Sequence, residues 1–406
     1  MDIWQEALAA QDYVIRCRRW FHENAELSDL EDDTVAYILQ ELKTMGVACD
    51  DVPKGGVMAY IESGKPGKTV LLRADIDALP IQEDPWNMKQ PKVCVSKRDG
   101  AAHMCGHDCH PAMLLGAAKI LQEHRGEFAG RVVLYFERGE EHGHGDYHMM
   151  KFIQDHNIHI DGCWAQHNRP QTPVGQIGIS AGGIYAGATA WGATIRGEKA
   201  LACCVAIING LNTARMRAVT PFEAVTLTNT KLRYGLEDME ADICQISGTC
   251  RFYDADKAGR PMKEAIRRVI ENTCAAYGCQ IVKIFRSGPT RGVINDPVCT
   301  QLAIEAVSSV IGQNAVVCNE PSMGGESFSV LSAYYPSVMA TVGVGNEEKG
   351  MCAAGHNPKY EPDEDGLKYG VAATVAYATA FLAYDQTIPF APFEGDIDAY
   401  MASIRN

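Results

Sequence analysis

The 406-residue chain has a composition that excludes several classes of function. Its length exceeds what one hydrophobic core usually organises, so two domains are expected. A formal net charge of -14 argues against nucleic acid as a partner, because phosphate binding needs clustered Lys and Arg. No stretch approaches the roughly 20 apolar residues that cross a bilayer, and the first residues do not follow the order of a secretory signal. We therefore expect a cytoplasmic protein that binds neither nucleic acid nor membrane.

Fifteen cysteines are scattered along the chain without a regular framework. With no secretory signal recognised, they are expected to be reduced thiols, most of them packed as small hydrophobic residues. Cys105 differs from the others because histidines lie two residues away on both sides of it.

Residues 1–170 alternate between helical and strand patterns, which is typical of an α/β layer. Apolar residues recur at helical spacing from Val35 to Met45, and Gly46 supplies a stop. Short apolar runs then predict strands at 57–61 and 70–72, a helix at 112–123, and a buried strand at 131–136. A weaker strand is predicted at 163–165.

The pattern changes near residue 185, where a β-α-β-β-α-β order begins. This order predicts a small inserted α+β sandwich that ends near Asn295. After it the chain returns to α/β texture, with a strand in VMATVGV and a closing helix at 366–382. We therefore predict one discontinuous domain, 1–184 with 296–406, and an inserted domain at 185–295.

A cluster of reactive residues, HMCGHD, precedes the predicted helix at 112–123. Cys105 and His107 are two residues apart and can reach one metal ion, and Asp108 could orient a histidine ring through a hydrogen bond. A C-x-H pattern taken alone is weak evidence for a metal site.

Further candidates follow predicted strands. Glu140 and Glu141 come after the strand at 131–136, and they are either a solvated loop or a metal ligand beside a proton-transferring carboxylate. His167 and His356 would each be read singly as ordinary histidines. Three of the four candidate positions lie on loops after strands, where ligands gather in open α/β sheets, and this favours a common site.

Asp75 and Asp77 follow another predicted strand, in the segment RADIDALP. They could cap a turn, or they could accept a hydrogen bond from a metal-binding histidine and so fix its ring. We assign the second role to Asp77 and leave that of Asp75 open.

The order of these motifs resembles that of the di-metal amidohydrolases that include hippurate hydrolase, auxin-conjugate hydrolases and bacterial aminoacylases, relatives of carboxypeptidase G. The matching segments cover nearly the whole chain, and they are RRWFHENAEL, RADIDALP, HMCGHD, GEE, QHN, SGT-x-R-F, MGGESF and AGHNP. The resemblance implies that two divalent metal ions per subunit, Mn²⁺ or Zn²⁺, are held by Cys105, His107, Glu141, His167 and His356. It also implies that Glu140 is the general base.

The same resemblance implies an α/β catalytic domain, with a mixed sheet flanked by helices, and an inserted lid or dimerisation domain in a homodimer or higher homo-oligomer. One family feature is missing. A histidine in the lid that helps to polarise the scissile carbonyl has no counterpart near Leu201, where the chain reads GEKALACC. The candidate metal site is therefore complete in sequence, whereas the lid is altered.

Three functions remain open at this stage. The first is an amidohydrolase that uses a metal-activated water to cleave the amide C–N bond of an N-acyl amino acid, small peptide or related molecule. The second is an aminohydrolase that releases ammonia from an aromatic or otherwise activated amine. The third is a catalytically weak homologue that binds a ligand in the same cleft, which the retained Glu140 disfavours.

Overall fold

The computed structural model describes residues 1–318 and 321–405. Its strands, in chain order, are β1 (Ala48–Val52), β2 (Gly56–Glu62), β3 (Thr69–Asp75), β4 (Arg131–Glu137), β5 (Gly162–Pro173), β6 (Ile177–Gly178), β7 (Gly182–Tyr185), β8 (Gly187–Arg196), β9 (Val225–Tyr234), β10 (Ile243–Phe252), β11 (Gln280–Arg286), β12 (Val293–Asn295), β13 (Val316–Val317) and β14 (Ser337–Gly345). Its α-helices are α1 (Ile3–Glu23), α2 (Asp32–Thr44), α3 (Cys109–Glu123), α4 (Gly145–Asp155), α5 (Ala200–Ala218), α6 (Arg260–Tyr277), α7 (Pro297–Ile311), α8 (Ser329–Tyr334), α9 (Leu367–Ala383) and α10 (Ile397–Arg405).

Chain contacts define two compact units. The first comprises Met1–Gly182, Asn295–Glu320 and Val330–Pro392. The second comprises Gly183–Ile294, Pro321–Ser329 and Phe393–Asn406.

A mixed eight-stranded sheet organises the first unit, in the order β1-β2-β4-β3-β5-β14-β6-β13. The central neighbours β4, β3, β5 and β14 are parallel, whereas β2 is antiparallel to β1 and to β4. Parallel strands end at the same edge, and the register pairs Asp75 at the end of β3 with Glu137 at the end of β4. The residues that follow these two strands therefore emerge side by side.

Helices cover this sheet and explain its apolar sequence. All seven residues of β3 are buried, as expected for a parallel strand with both faces covered. Along β2, the alternate residues Val57, Ala59 and Ile61 belong to one core cluster with residues of α1, α3 and α9. This alternation follows from the two-residue period of a strand.

The second unit has the element order β8-α5-β9-β10-α6-β11, which confirms the β-α-β-β-α-β pattern predicted from the sequence. Its four-stranded antiparallel sheet has the order β11-β8-β10-β9. Alternate buried residues of β10 join residues of α5 and α6 in a separate hydrophobic core. The predicted fold class, a mixed α/β sheet flanked by helices with an inserted α+β sandwich, is confirmed.

None of the helices in the described part of the chain is long and apolar enough to span a lipid bilayer.

The predicted weak strand at 163–165 is longer than expected, because β5 runs from Gly162 to Pro173. His167 therefore lies within a strand and not in the loop after one.

A buried charge cluster fixes α1 against the segment before α3. Arg18 is fully buried, and its Nε lies 2.7 Å from Oδ2 of Asp108. The ring of His22 contacts Asp108 at 2.8 Å and Glu83 at 3.0 Å. Because these groups are removed from water, each charge depends on its partners for compensation.

A second buried carboxylate connects α2 with the turn after β4. Glu31 precedes α2, is fully buried, and accepts a hydrogen bond from the backbone N–H of Gly139 at 2.7 Å. Burial raises the pKa of Glu31 to about 7, and the negative charge of Asp77 adds to this shift. Two backbone donors and Arg138 oppose the increase without cancelling it.

We predict that Arg18→Met lowers the free energy of unfolding by about 3–5 kcal/mol, because it leaves Asp108 as a buried charge without its guanidinium partner. Arg16→Met is the matched control on the same helix. The Arg16 side chain is 64% exposed and lies 3.6 Å from Glu41, so its loss should cost less than about 1 kcal/mol. Urea denaturation of metal-free protein measures both, and equal losses would contradict this assignment.

We also predict that Glu31→Gln stabilises the metal-free protein increasingly between about pH 5 and pH 8. The folded-state pKa lies above the ordinary value of 4.5, so ionisation of Glu31 costs the folded state more as pH rises. The glutamine can still accept from Gly139 and never ionises, and its advantage should reach about 3 kcal/mol near pH 8.

The control for this prediction is Glu26→Gln, which alters a partly exposed carboxylate that accepts backbone N–H groups at the start of the same helix. No gain is expected from it at pH 8. If the difference in unfolding free energy between Glu31→Gln and the wild type does not change across this pH range, burial does not raise the pKa of Glu31 in the folded protein.

Candidate metal centre

The turn before α3 brings Cys105 and His107 to the edge of the sheet where β3, β4 and β5 meet. Gly106 lies between them with a φ of 88°, a left-handed conformation that glycine adopts without strain. Sγ of Cys105 lies 3.5 Å from Nε2 of His167. Ligand atoms of Cys105, His107 and His167 all lie within 4.8 Å of one another.

The paired glutamates complete a second side of the site. Gly139 has a φ of 64° and turns the chain directly after β4, so that Glu140 and Glu141 follow in the loop. One ligand atom from each of His107, Glu140 and Glu141 forms another group within 4.8 Å. The two carboxylates are therefore at the site and are not simply a solvated loop.

His356 reaches the same place from the loop after β14. Its backbone N–H donates to the carbonyl of Met104 at 2.7 Å, and its Nε2 lies 3.2 Å from Oε1 of Glu141. Cys105, Glu141 and His356 form a third group of ligand atoms within 4.8 Å. The backbone of His356 has a φ of 64°, which is unusual for a residue with a side chain and occurs often at functional sites.

The structure thus brings together all five residues proposed as ligands, together with Glu140. Among the residues that the structure describes, none forms a hydrogen bond with the buried Nε2 of His107, and buried polar atoms are rarely left in this state. A buried imidazole nitrogen that forms no hydrogen bond and lies beside a thiol and carboxylates is suited to bind a metal ion. Thiolate, imidazole and carboxylate donors suit Zn²⁺, and the last two also suit Mn²⁺.

Asp77 organises the site through both of its carboxylate oxygens. Oδ1 lies 3.0 Å from Nδ1 of His107. Oδ2 accepts hydrogen bonds from the backbone N–H of Glu141 at 3.0 Å and from the hydroxyl of Ser28 at 2.6 Å. Burial opposes ionisation of Asp77, but the contacts from His107 and Ser28 bring its pKa below the ordinary value. An ionised Asp77 fixes the proton of His107 on Nδ1. The lone pair of Nε2 is then available to bind a metal ion.

The carboxylate of Asp108 points to different partners. Its Oδ2 forms an ion pair with Arg18 and accepts a hydrogen bond from Nδ1 of His22, and the described residues show no hydrogen bond between Asp108 and a candidate ligand. Burial opposes its ionisation, yet the positive charge of Arg18 holds its pKa far below the usual range. Asp108 supports His107 through the backbone that joins them and not through the ring.

Electrostatics distinguish the candidate ligands in the metal-free protein. Burial raises the pKa of the Cys105 thiol to about 12, and the charges of Glu141 and Glu140 add to the shift. The thiolate needed for metal binding therefore depends on a nearby cation. Burial also lowers the pKa of His167 to about 3, which keeps its imidazole neutral as a ligand must be.

Three residues at the site escaped the sequence analysis. Ser28 lies in the motif near the N-terminus, but no spacing rule relates it to Asp77. Asn168 follows the candidate ligand His167 and His110 lies three residues after His107, but their burial could not be predicted from a pattern. The proximity of His110 to His107 in HDCH is the only sequence signal that could have drawn attention to it.

The amino-acid sequence is similar to those of known enzymes. The chain is 32% identical over 388 residues to IAA-amino acid hydrolase ILR1-like 2 of Arabidopsis thaliana, covering 91% of this chain and 85% of that protein. It is 31% identical over 370 residues to the N-acetylcysteine deacetylase of Bacillus subtilis, covering 87% of this chain and 93% of that protein.

A similar solved structure is the Bacillus subtilis YXEP protein, described as a dinuclear metal-binding peptidase from the M20 family. The two structures superpose with a TM-score of 0.79 at 29% sequence identity, covering 92% of this chain and 99% of that one. Residues 71–380 match the model of peptidase family M20/M25/M40. The candidate metal centre lies in a chain that belongs to peptidase family M20/M25/M40, a family of metal-dependent hydrolases.

Proposed function

We propose that the protein hydrolyses the amide C–N bond of an N-acyl amino acid, a small peptide or a related small molecule. The observation that carries the proposal is the convergence of three overlapping groups of ligand atoms, with Glu140 in one of them. The two curated relatives support the substrate class, since their names describe the hydrolysis of an amino-acid conjugate and the deacetylation of N-acetylcysteine.

Two divalent cations per subunit would be held by one thiolate, three imidazoles and one carboxylate, from Cys105, His107, His167, His356 and Glu141. Cys105 belongs to two of the groups, one with His107 and His167 and the other with Glu141 and His356. His107 and Glu141 also belong to more than one group each, so the ligand atoms form one connected set. Bound cations would polarise the substrate carbonyl and make a water molecule more acidic, and Zn²⁺ and Mn²⁺ are the candidates.

The chain's own residues divide the remaining work. Glu140 is the general base that removes a proton from the attacking water and then delivers it to the departing nitrogen, so that the C–N bond breaks to a carboxylate and an amine. Asp77 keeps His107 in one tautomer and holds the backbone of Glu141. Glu141 is thereby positioned as a ligand while its neighbour Glu140 is left for proton transfer.

The altered insertion bears on substrate choice. We assign residues 1–184 and 296–406 to the catalytic domain, and residues 185–295 to a lid that also forms a homodimer or higher homo-oligomer. The compact units differ from this division, because Pro321–Ser329 and Phe393–Asn406 belong to the second unit. Leu201 and its neighbours form the first turn of α5 and include no histidine. Polarisation of the carbonyl therefore depends on other groups, and the aminohydrolase reading, which needs no carbonyl contact, is kept as the second candidate.

We predict that Glu140→Gln lowers turnover by about 10²–10⁴-fold while leaving the metal content unchanged, because it removes proton transfer and no ligand. Glu141→Gln is the informative companion, and it should lower metal content and turnover together. Both are measured by metal analysis and by hydrolysis of a panel of N-acyl amino acids and dipeptides.

Glu62→Gln, at a side chain that is 62% exposed on β2, is the control for loss of a carboxylate and should retain full activity. Full turnover in Glu140→Gln, or loss of metal from it, would contradict the assignment of the base. Ammonia release without a carboxylate product would favour the aminohydrolase.

A further inference from the structure

A pair of buried polar residues, His110 and Asn168, connects two segments that carry candidate ligands. Asn168 follows His167 in β5, and its side-chain Nδ2 donates to the carbonyl of Gly106 at 2.7 Å. Gly106 is the residue between Cys105 and His107. A Cβ at position 106 would lie 2.1 Å from Nδ2 of Asn168, so the side chain is packed directly against this turn.

His110 holds the other end of the connection. Its Nε2 accepts a hydrogen bond from the backbone N–H of Asn168 at 3.1 Å, and its Nδ1 donates to Asp75. Nε2 is therefore the acceptor nitrogen of the ring, and Nδ1 carries the hydrogen that is donated to Asp75. Arg73 contacts the same Asp75 at 2.6 Å and Glu137 at 2.7 Å, which anchors the ring to the ends of β3 and β4.

The ring of His110 packs against the rings of two candidate ligands. Its centroid is 5.4 Å from that of His107 and 4.6 Å from that of His167, and the second contact is edge-to-face. His110 and Asn168 are at most 3% exposed. Water cannot replace their hydrogen bonds, so their loss would release the turn from the strand.

We propose that His110 and Asn168 are positioning residues that hold the Cys105–His107 turn against the end of β5, so that the candidate ligands are assembled before a cation binds. This inference rests on the proposed function, because it gives the assembled groups their purpose. It assigns neither residue to the metal or to the substrate.

Preassembly has a thermodynamic consequence. If the turn were mobile without the metal, part of the binding free energy would be consumed in ordering it. Hydrogen bonds from His110 and Asn168 that order the turn before the metal binds would increase metal affinity. Loss of such supporting hydrogen bonds typically lowers metal affinity about 10–100-fold.

The experiment compares Asn168→Ala and His110→Phe with the full-length wild type. Phenylalanine keeps the shape of the ring but cannot accept from Asn168. We expect amide hydrogen exchange in the metal-free protein to be at least about tenfold faster over residues 104–109 in both variants. We also expect about 10–100-fold weaker Zn²⁺ binding in competition with a chelator.

Two further variants separate positioning from general stability. Asn295→Ala removes another buried asparagine, whose Nδ2 donates to the carbonyls of Ser180 at 2.8 Å and Met339 at 2.9 Å. It should destabilise the fold without changing exchange at the turn. His110→Gln places an acceptor where Nε2 lies in the wild type, and it should recover a large part of the affinity that His110→Phe loses.

Unchanged exchange at residues 104–109, or an increase as large in Asn295→Ala, would overturn the proposal. Faster exchange with unchanged Zn²⁺ affinity would also overturn it, because the turn would then be mobile without consequence for binding. A wild-type protein that binds no divalent cation would reject the proposed function itself. The exchange rates would still decide whether His110 and Asn168 order the turn.

Discussion

Parallel pairing of β4, β3, β5 and β14 is the constraint on which the candidate site depends. It makes the strands end at a common edge, so that residues far apart in sequence emerge next to one another. Asp77 and the glutamate pair follow β3 and β4, His167 lies in β5, and His356 follows β14. Each strand supplies at most a few of the groups, and the sheet supplies their proximity.

Burial gives these groups their chemistry. Asp75 and Asp77 are buried and contact the rings of His110 and His107, and Asp75 also lies 2.6 Å from the guanidinium of Arg73. Such an arrangement concentrates negative charge under the candidate ligands, and divalent cations would compensate it. The raised pKa of the Cys105 thiol also indicates that a cation is needed, because the buried thiolate is stabilised by nearby positive charge.

Much of the fold could be predicted because hydrophobic periodicity records it directly. The buried strand at 131–136, the helix before Gly46 and the order of elements in the insertion all follow from local patterns. The extent of β5 could not be predicted, because its middle contains His167, Asn168 and Arg169, which are polar. Pairing with β14 keeps this segment extended despite its composition.

The candidate site was predictable where motif and chemistry coincide and unpredictable where only packing decides. Cys105, His107 and the glutamate pair stand in short recognisable segments. The partnership of Ser28 with Asp77, and that of Asn168 with Gly106, join residues whose separation follows no rule. The partners of Asp108 also depended on tertiary packing, because α1 brings Arg18 to it.

The discontinuity of the first unit has a consequence for how the protein matures. Thr341 of β14 pairs with His167 of β5, and two segments of the second unit, Gly183–Ile294 and Pro321–Ser329, are encoded between them. During synthesis, the nascent chain carries Cys105, His107 and His167 long before β14 and His356 leave the ribosome. An ion captured at that stage would meet an incomplete set of the proposed ligands, which becomes complete only after His356 has been synthesised.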